Sequence, residues 1–120
     1  MIINSLLNMT ALSIEGKEGG ERLAFHLNNG TVVVFYHEQD CCESVWLGEI
    51  SGDLNDLVGE PLIQAEVVST GDESDPETDM YFTWVFYKFA TIKGSVTVRW
   101  NGQHNGYYST AVDTAIISEE

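Results

Sequence analysis

Apolar and polar residues alternate along most of the chain with a period of two, the period of strands and not of helices. The clearest case is "ERLAFHLNNGTVVVFYHE", two β-rich runs around Asn29-Gly30, a dipeptide that favours tight hairpin turns. A two-residue turn there sets Phe25 across from Val34, Leu27 from Val32 and Leu23 from Tyr36, and predicts these six as a core face. The other face then carries Arg22, Ala24, His26, Val33, Phe35 and His37. A second hairpin is expected in "MYFTWVFYKFATIKGSVTVRW", turning at Lys93-Gly94. That turn pairs Phe89 with Val98, Tyr87 with Trp100 and Lys88 with Arg99. Like charges placed opposite each other are destabilising, so this pairing calls for a nearby anion, either an acidic side chain or a ligand. Further strands are expected near 9–15, 44–50, 61–69 and 107–113.

Helix is scarce. "SGDLNDLVG" offers Ser51 or Asp53 as an N-cap, Leu54, Leu57 and Val58 at helical spacing, and Gly59 as a stop. "NSLLN" near the start suggests a similar single turn. The order of elements looks duplicated: "SLLNMTALSIE" aligns without a gap on "DLVGEPLIQAE", setting Leu6 on Leu57 and Leu12 on Ile63. The predicted fold class is therefore mainly β, an antiparallel sandwich or barrel built from two similar four-stranded meanders with one or two short helical turns. We expect one domain over 1–120, an internal duplication over 5–50 and 56–113, and a mobile acidic loop over 70–79.

Composition narrows the function classes. The chain has 120 residues, 43% of them hydrophobic, enough for a core without a metal or disulfide staple. No apolar run reaches the roughly 18 residues of a membrane span. "MIINSLLNMTALSI" lacks a basic start, so no secretory leader is expected. A cytoplasmic protein with reduced thiols follows. Five bases against nineteen acids give a net charge of −14. Such a surface repels nucleic acid and anionic lipid and favours basic partners.

The stretch "YHEQDCCESVW" gathers the chain's two cysteines with His37, Asp40 and Glu43. Adjacent cysteines point to opposite faces of a strand, which argues against one metal holding both and against a disulfide between them. Acidic surroundings raise a thiol's pKa and disfavour a nucleophilic cysteine. A sharp corner with one thiol buried is the simplest expectation. The alternative keeps a metal or thiol enzyme there, with His37, Cys41, Cys42 and His104 as ligands. A duplicated fold would give this corner a counterpart in "NGQHNGYYS". Lys88, Lys93 and Arg99 are three of the five bases and are interleaved with Trp84, Phe86, Tyr87, Phe89 and Trp100. A basic, aromatic spot of this kind can hold a phosphate and stack a base. The candidate ligand-binding residues are therefore His37, Asp40, Cys42, Lys88, Arg99, His104, Tyr107 and Tyr108. No cofactor is expected.

The runs "HEQDCCE", "GDLNDLVG", "TWVFYKFATIKG" and "GYYS" resemble the hallmarks of a family of small phage- and prophage-encoded proteins of unknown function. The resemblance covers about residues 10–113. It implies a viral accessory protein in a bacterial cytoplasm and attaches no activity to it. On the hallmark runs lie His37, Gln39, Asp40, Cys41, Cys42, Glu43, Trp84, Lys88, Lys93, Gly106, Tyr107 and Tyr108. Taken together, these features predict a non-enzymatic binding protein that antagonises a host defence or regulatory factor. It would do so by binding a host bacterial protein or by sequestering a small phosphorylated, nucleotide-like ligand. Direct nucleic-acid binding and membrane association are not expected. Apolar residues on both faces of "TVVVFY" and "TWVFYKF" also allow a homodimer.

Overall fold

Strand alternation organises the whole chain. In the computed structural model, which describes residues 2–74, 80–105 and 109–118, eight strands form two antiparallel sheets. The first sheet contains β1 (Ala11–Glu15), β2 (Arg22–Leu27), β3 (Thr31–Tyr36) and β8 (Asp113–Ser118), in the order β1-β2-β3-β8. The second contains β4 (Ser44–Ser51), β5 (Gln64–Ser74), β6 (Tyr81–Thr91) and β7 (Gly94–His104), in the order β4-β7-β6-β5. Two 3-10 turns, Ile2–Leu6 and Leu54–Leu57, precede β1 and β5. The architecture is a sandwich of two separate sheets. Its meanders stop after three strands: each half of the chain sends its fourth strand to the other half's sheet.

Inward-facing residues of both sheets form one core cluster. Phe25 packs on Phe89 with ring centroids 4.9 Å apart, and Phe35 meets Tyr87 edge-on at 5.1 Å. Trp100, Leu23 and Leu47 are also fully enclosed. Burying each such side chain contributes about 1.5–3 kcal/mol.

The two hairpins form, but each in a different register from the one expected. In the first, Phe25 pairs with Val33 and Leu23 with Phe35. The connection is three residues long, with Gly30 at φ 85° and its N–H bonded to the carbonyl of Leu27. This is the hairpin loop in which a left-handed glycine supplies a bulge. One extra loop residue turns β3 over. Val33 and Phe35 therefore enter the core, while Val32 and Val34 join Ala24 and Tyr36 on the outer side.

In the second hairpin the turn is Ile92-Lys93, because Thr91 pairs with Gly94. Phe89 then faces Val96, Tyr87 faces Val98, and Lys88 lies across from Thr97, not Arg99. The need for an anion between Lys88 and Arg99 disappears with that register. On its other side Lys88 is paired with Glu66 of β5. The turn is chosen by the second 3-10 turn: Thr91 Oγ1 donates to the carbonyl of Asp56, and Lys93 Nζ donates to the carbonyls of Asn55 and Val58 at 3.0 and 2.8 Å. Asp53 caps that turn, its carboxylate accepting the N–H of Asn55.

Two boundaries also differ. β5 continues to Ser74, opposite Tyr81, so the first part of the acidic segment 70–79 is strand; residues 75–79 lie outside the described set. The last strand is β8, with residues 109–112 irregular before it, in place of a strand over 107–113. The alternation of "DTAIIS" pairs with the whole of β3, from Thr31↔Ser118 to Tyr36↔Asp113.

The alignment that sets Leu6 on Leu57 also matches local geometry. Both leucines end a 3-10 turn and both are buried. Asn8 and Gly59 both have positive φ, 69° and 88°. Asn8 N–H donates to Leu62 O, and Gly59 N–H donates to Ala11 O. Thr10 and Pro61, superposed by the alignment, form a bridge with each other.

Core packing predicts a contrast that equilibrium unfolding can measure. Phe35→Ala should cost about 3–5 kcal/mol. Val68→Ala, on a position 42% exposed, should cost less than about 1 kcal/mol.

Candidate functional site

The sequence stretch richest in chemistry lies where the chain changes sheets. Residues 37–43 carry it from β3 to β4, and residues 109–112 carry it from the second sheet back to β8. The two crossings run side by side. The second also lies across β7, where a Cβ on Gly102 would come within 2.6 Å of Thr110, so only glycine allows that approach.

Glu43 is the hub of the first crossing. Its side chain is in phase with the inward-facing Val45 and Leu47, and the residue is 2% exposed. One carboxylate oxygen accepts His37 Nε2 at 2.6 Å and the N–H of Asp40 at 2.9 Å. The other accepts the N–H of Cys41 at 2.9 Å and faces Gln39 Nε2 at 3.5 Å. Gln39 Nε2 also donates to the carbonyl of Glu43 at 2.6 Å. The second crossing is tied in by His37 Nδ1, 2.7 Å from the carbonyl of Ala111, and by the N–H of Glu38, which donates to Asp113 Oδ2 at 2.9 Å.

These partners fix the charges. A carbonyl can only accept, so Nδ1 of His37 carries a proton. The Cys41 N–H and His37 hold the Glu43 carboxyl down to about 2 against the cost of burial, aided by the Asp40 N–H. An ionised carboxylate also only accepts, so Nε2 donates as well and His37 is an imidazolium. Burial works against that charge. The bond to Ala111, the bond to Glu43 and the negative charges of Glu43 and Asp113 outweigh it and raise the His37 pKa. Burial together with the Asp113 charge also pushes the Tyr87 phenol up to about 12.

Chemically, this arrangement leaves His37 no lone pair with which to accept a proton or bind a metal. Cys41 and Cys42 are both exposed and are joined as a disulfide between chain neighbours. The expected buried thiol is replaced by a buried carboxylate, and the pairing overturns the expectation of separate thiols. Among the described residues no group of three or more His, Cys, Asp or Glu side chains is placed to hold a metal ion. The ligand set His37, Cys41, Cys42 and His104 therefore does not assemble.

The remaining candidates are dispersed. His104 is buried at the end of β7 and stacks on Tyr81, centroids 5.3 Å apart. Tyr107 and Tyr108 lie outside the described residues. Lys88 and Arg99 are on the outer face of the second sheet, away from the crossings. Register assembles an aromatic layer around them: Trp46 and Trp84 flank Asn101 from either side, and Phe86 lies between Arg99 and Val68. Phe82 continues the row along β6. All four aromatic residues are half-buried. No third layer covers this face among the described residues. Sequence reading singled out Trp84, Phe86, Lys88 and Arg99 but missed Trp46, whose place beside Asn101 depends on β4 joining the other half's sheet. It also left Glu43 out of the candidates, although the spacing Glu43, Val45, Leu47 puts a charge in the core phase.

A family model described as a domain of unknown function (DUF7448) matches residues 4–114. No curated protein and no solved structure matches the chain. Among the described residues no helix is long and apolar enough to cross a membrane.

The charged pair at the crossing sets a pH dependence. His37, raised above its ordinary 6.5, stabilises fully below that value and loses its contribution as pH climbs through the folded value. Glu43, lowered from 4.5 to about 2, stabilises fully above 4.5 and loses its contribution as pH falls through about 2. The pair is therefore worth most between about pH 4.5 and 6.5. Melting curves of wild type and Glu43→Gln should differ most in that window, converge as pH falls through about 2, and narrow without closing as pH climbs through the folded His37 value, because the Cys41 and Asp40 N–H groups still hold the carboxylate. A gap in Tm that does not vary with pH would contradict the ionic account.

Proposed function

The chain belongs to the family of the domain of unknown function DUF7448, and on that footing we propose that it is a non-enzymatic binding protein. In this reading it is a phage accessory factor that works in the cytoplasm of a bacterial host and antagonises a defence or regulatory protein by binding it. The observation that carries the reading is a contrast between two places in the fold. The cluster with enzyme-like composition, His37 and Glu43, spends its hydrogen-bonding capacity on the chain's own backbone. The outer face of the second sheet instead presents Trp46, Phe82, Trp84 and Phe86 around Arg99, half-buried and with no third layer of sheet or helix over them among the described residues. Aromatic residues and arginine are the side chains that dominate protein interfaces.

The same observations favour a protein over a small phosphorylated ligand. Lys88 and Arg99 do not face each other, and Lys88 has an acidic neighbour, Glu66, across the strand. A flat aromatic face suits another macromolecule, whereas small ligands favour concave sites.

Capture from a bacterial lysate tests the reading. Wild-type protein should retain a host protein that the double variant Trp84→Ser, Phe86→Ser does not, with both proteins folded by circular dichroism. Equal capture by the variant would remove the sheet face from the interface. A nucleotide that raises Tm, by the roughly 2.7 kcal/mol expected at 100 times its Kd, would favour the small-ligand reading instead.

A further inference from the structure

A strand at the edge of a sheet exposes unpaired backbone donors and acceptors, and proteins guard such edges. Three of the four edges in this sandwich are guarded. β4 is covered by the β1–β2 connection: Gly19 N–H donates to Leu47 O and Leu47 N–H donates to Gly20 O, both at 2.7 Å, while Glu18 accepts the N–H of Ile50. β1 is bulged and is met by bridges from Val58 and Pro61. β5 is bulged between Ser69 and Asp72, carries Glu66 and Glu73, and packs against the first 3-10 turn.

Among the described residues β8 has neither a bulge nor a covering segment. Among the described residues its ladder is with β3 alone. Its sequence, "DTAIIS", contains no lysine or proline, and its register with β3 is continuous over six pairs. Ile116 and Ile117 are 58% and 51% exposed. They point to opposite faces, so both sides of a newly added strand would find apolar neighbours. Beside the inward face the sandwich opens into a cleft of about 410 Å3, lined by Phe35, Val67, Val85, Tyr87, Val112 and Thr114. Beside the outward face Ala115 and Ile117 border a second cleft with Val34 and Tyr36, whose far wall carries Glu21, Arg22 and His37.

We infer that the free edge of β8 receives an extended segment of a basic partner protein as a ninth strand. Its backbone would pair with β8, and alternate apolar side chains would enter the cleft between the sheets. Charge selects the occupant. Asp113 opens the strand, Glu119 and Glu120 follow it in sequence, and the chain as a whole carries −14. A second copy of the chain would bring the same charge to the same edge, whereas a lysine-flanked segment would neutralise it. This edge belongs to the first sheet and the aromatic face to the second, so the two surfaces stand or fall separately.

The test uses the full chain and a synthetic peptide of alternating lysine and valine, with its backbone N-methylated form as control. The control keeps charge and apolar surface but cannot donate to β8. At a peptide concentration about ten times its Kd, hydrogen exchange of those amides of residues 113–118 that point away from β3 should slow about tenfold. The control should have no such effect, and Ile116→Lys, a change at an exposed position, should abolish it. Equal binding of the N-methylated form would overturn strand addition in favour of loose electrostatic contact. Absence of peptide binding would overturn the proposal. So would sedimentation showing the free protein as a dimer that Ile116→Lys dissociates, since the edge would then belong to a second copy.

Discussion

Glu43 is a buried carboxylate at the point where the chain leaves one sheet for the other, and the sandwich depends on how its charge is met. An isolated charge in that position would be costly. Here the carboxylate accepts two backbone N–H groups and an imidazolium, and the imidazolium in turn holds the carbonyl of Ala111 on the returning crossing. One ion pair thus ties together the two segments through which the halves exchange strands. The polar residues of the corner are the fastening of the fold: His37 and Glu43 spend their hydrogen-bonding capacity on each other and on the chain's own backbone.

The exchange has consequences for surface as well as core. β4 extends the second sheet, so Trp46 comes beside Asn101 and completes an aromatic face that β6 and β7 alone would leave narrower. β8 extends the first sheet and becomes its edge. The two surfaces proposed to meet partners, the aromatic face and the β8 edge, are therefore both products of the same crossing.

Much of the architecture was legible in the residues. Strict alternation predicts the strands, Asn29-Gly30 the first hairpin, and Asp53 with Gly59 the second 3-10 turn. Registers were less legible, because they depend on one residue of loop length. Asn28 joins the first turn, and β3 is inverted as a result. Lys93 is drawn to the carbonyls of the second 3-10 turn, and the facing strands slip so that Lys88 and Arg99 part. Pairing between distant segments was the least visible. Nothing in the local pattern of "SVWLGEIS" or "DTAIIS" says which sheet it joins. The site followed the same rule. His37 and Asp40 were legible as a polar corner, while the partner that matters, Ala111, offers a backbone carbonyl that has no sequence signature.

The fastening between the two crossings is a histidine that is charged and fully engaged, and nitrogen-resolved NMR of the His37 ring measures this directly. The predicted result is a pKa above 6.5 and a slowly exchanging ring proton shared with Glu43. A ring that is neutral or half-titrated at pH 6.5, with one nitrogen carrying a lone pair, would contradict it and return the corner to the list of places where chemistry could occur.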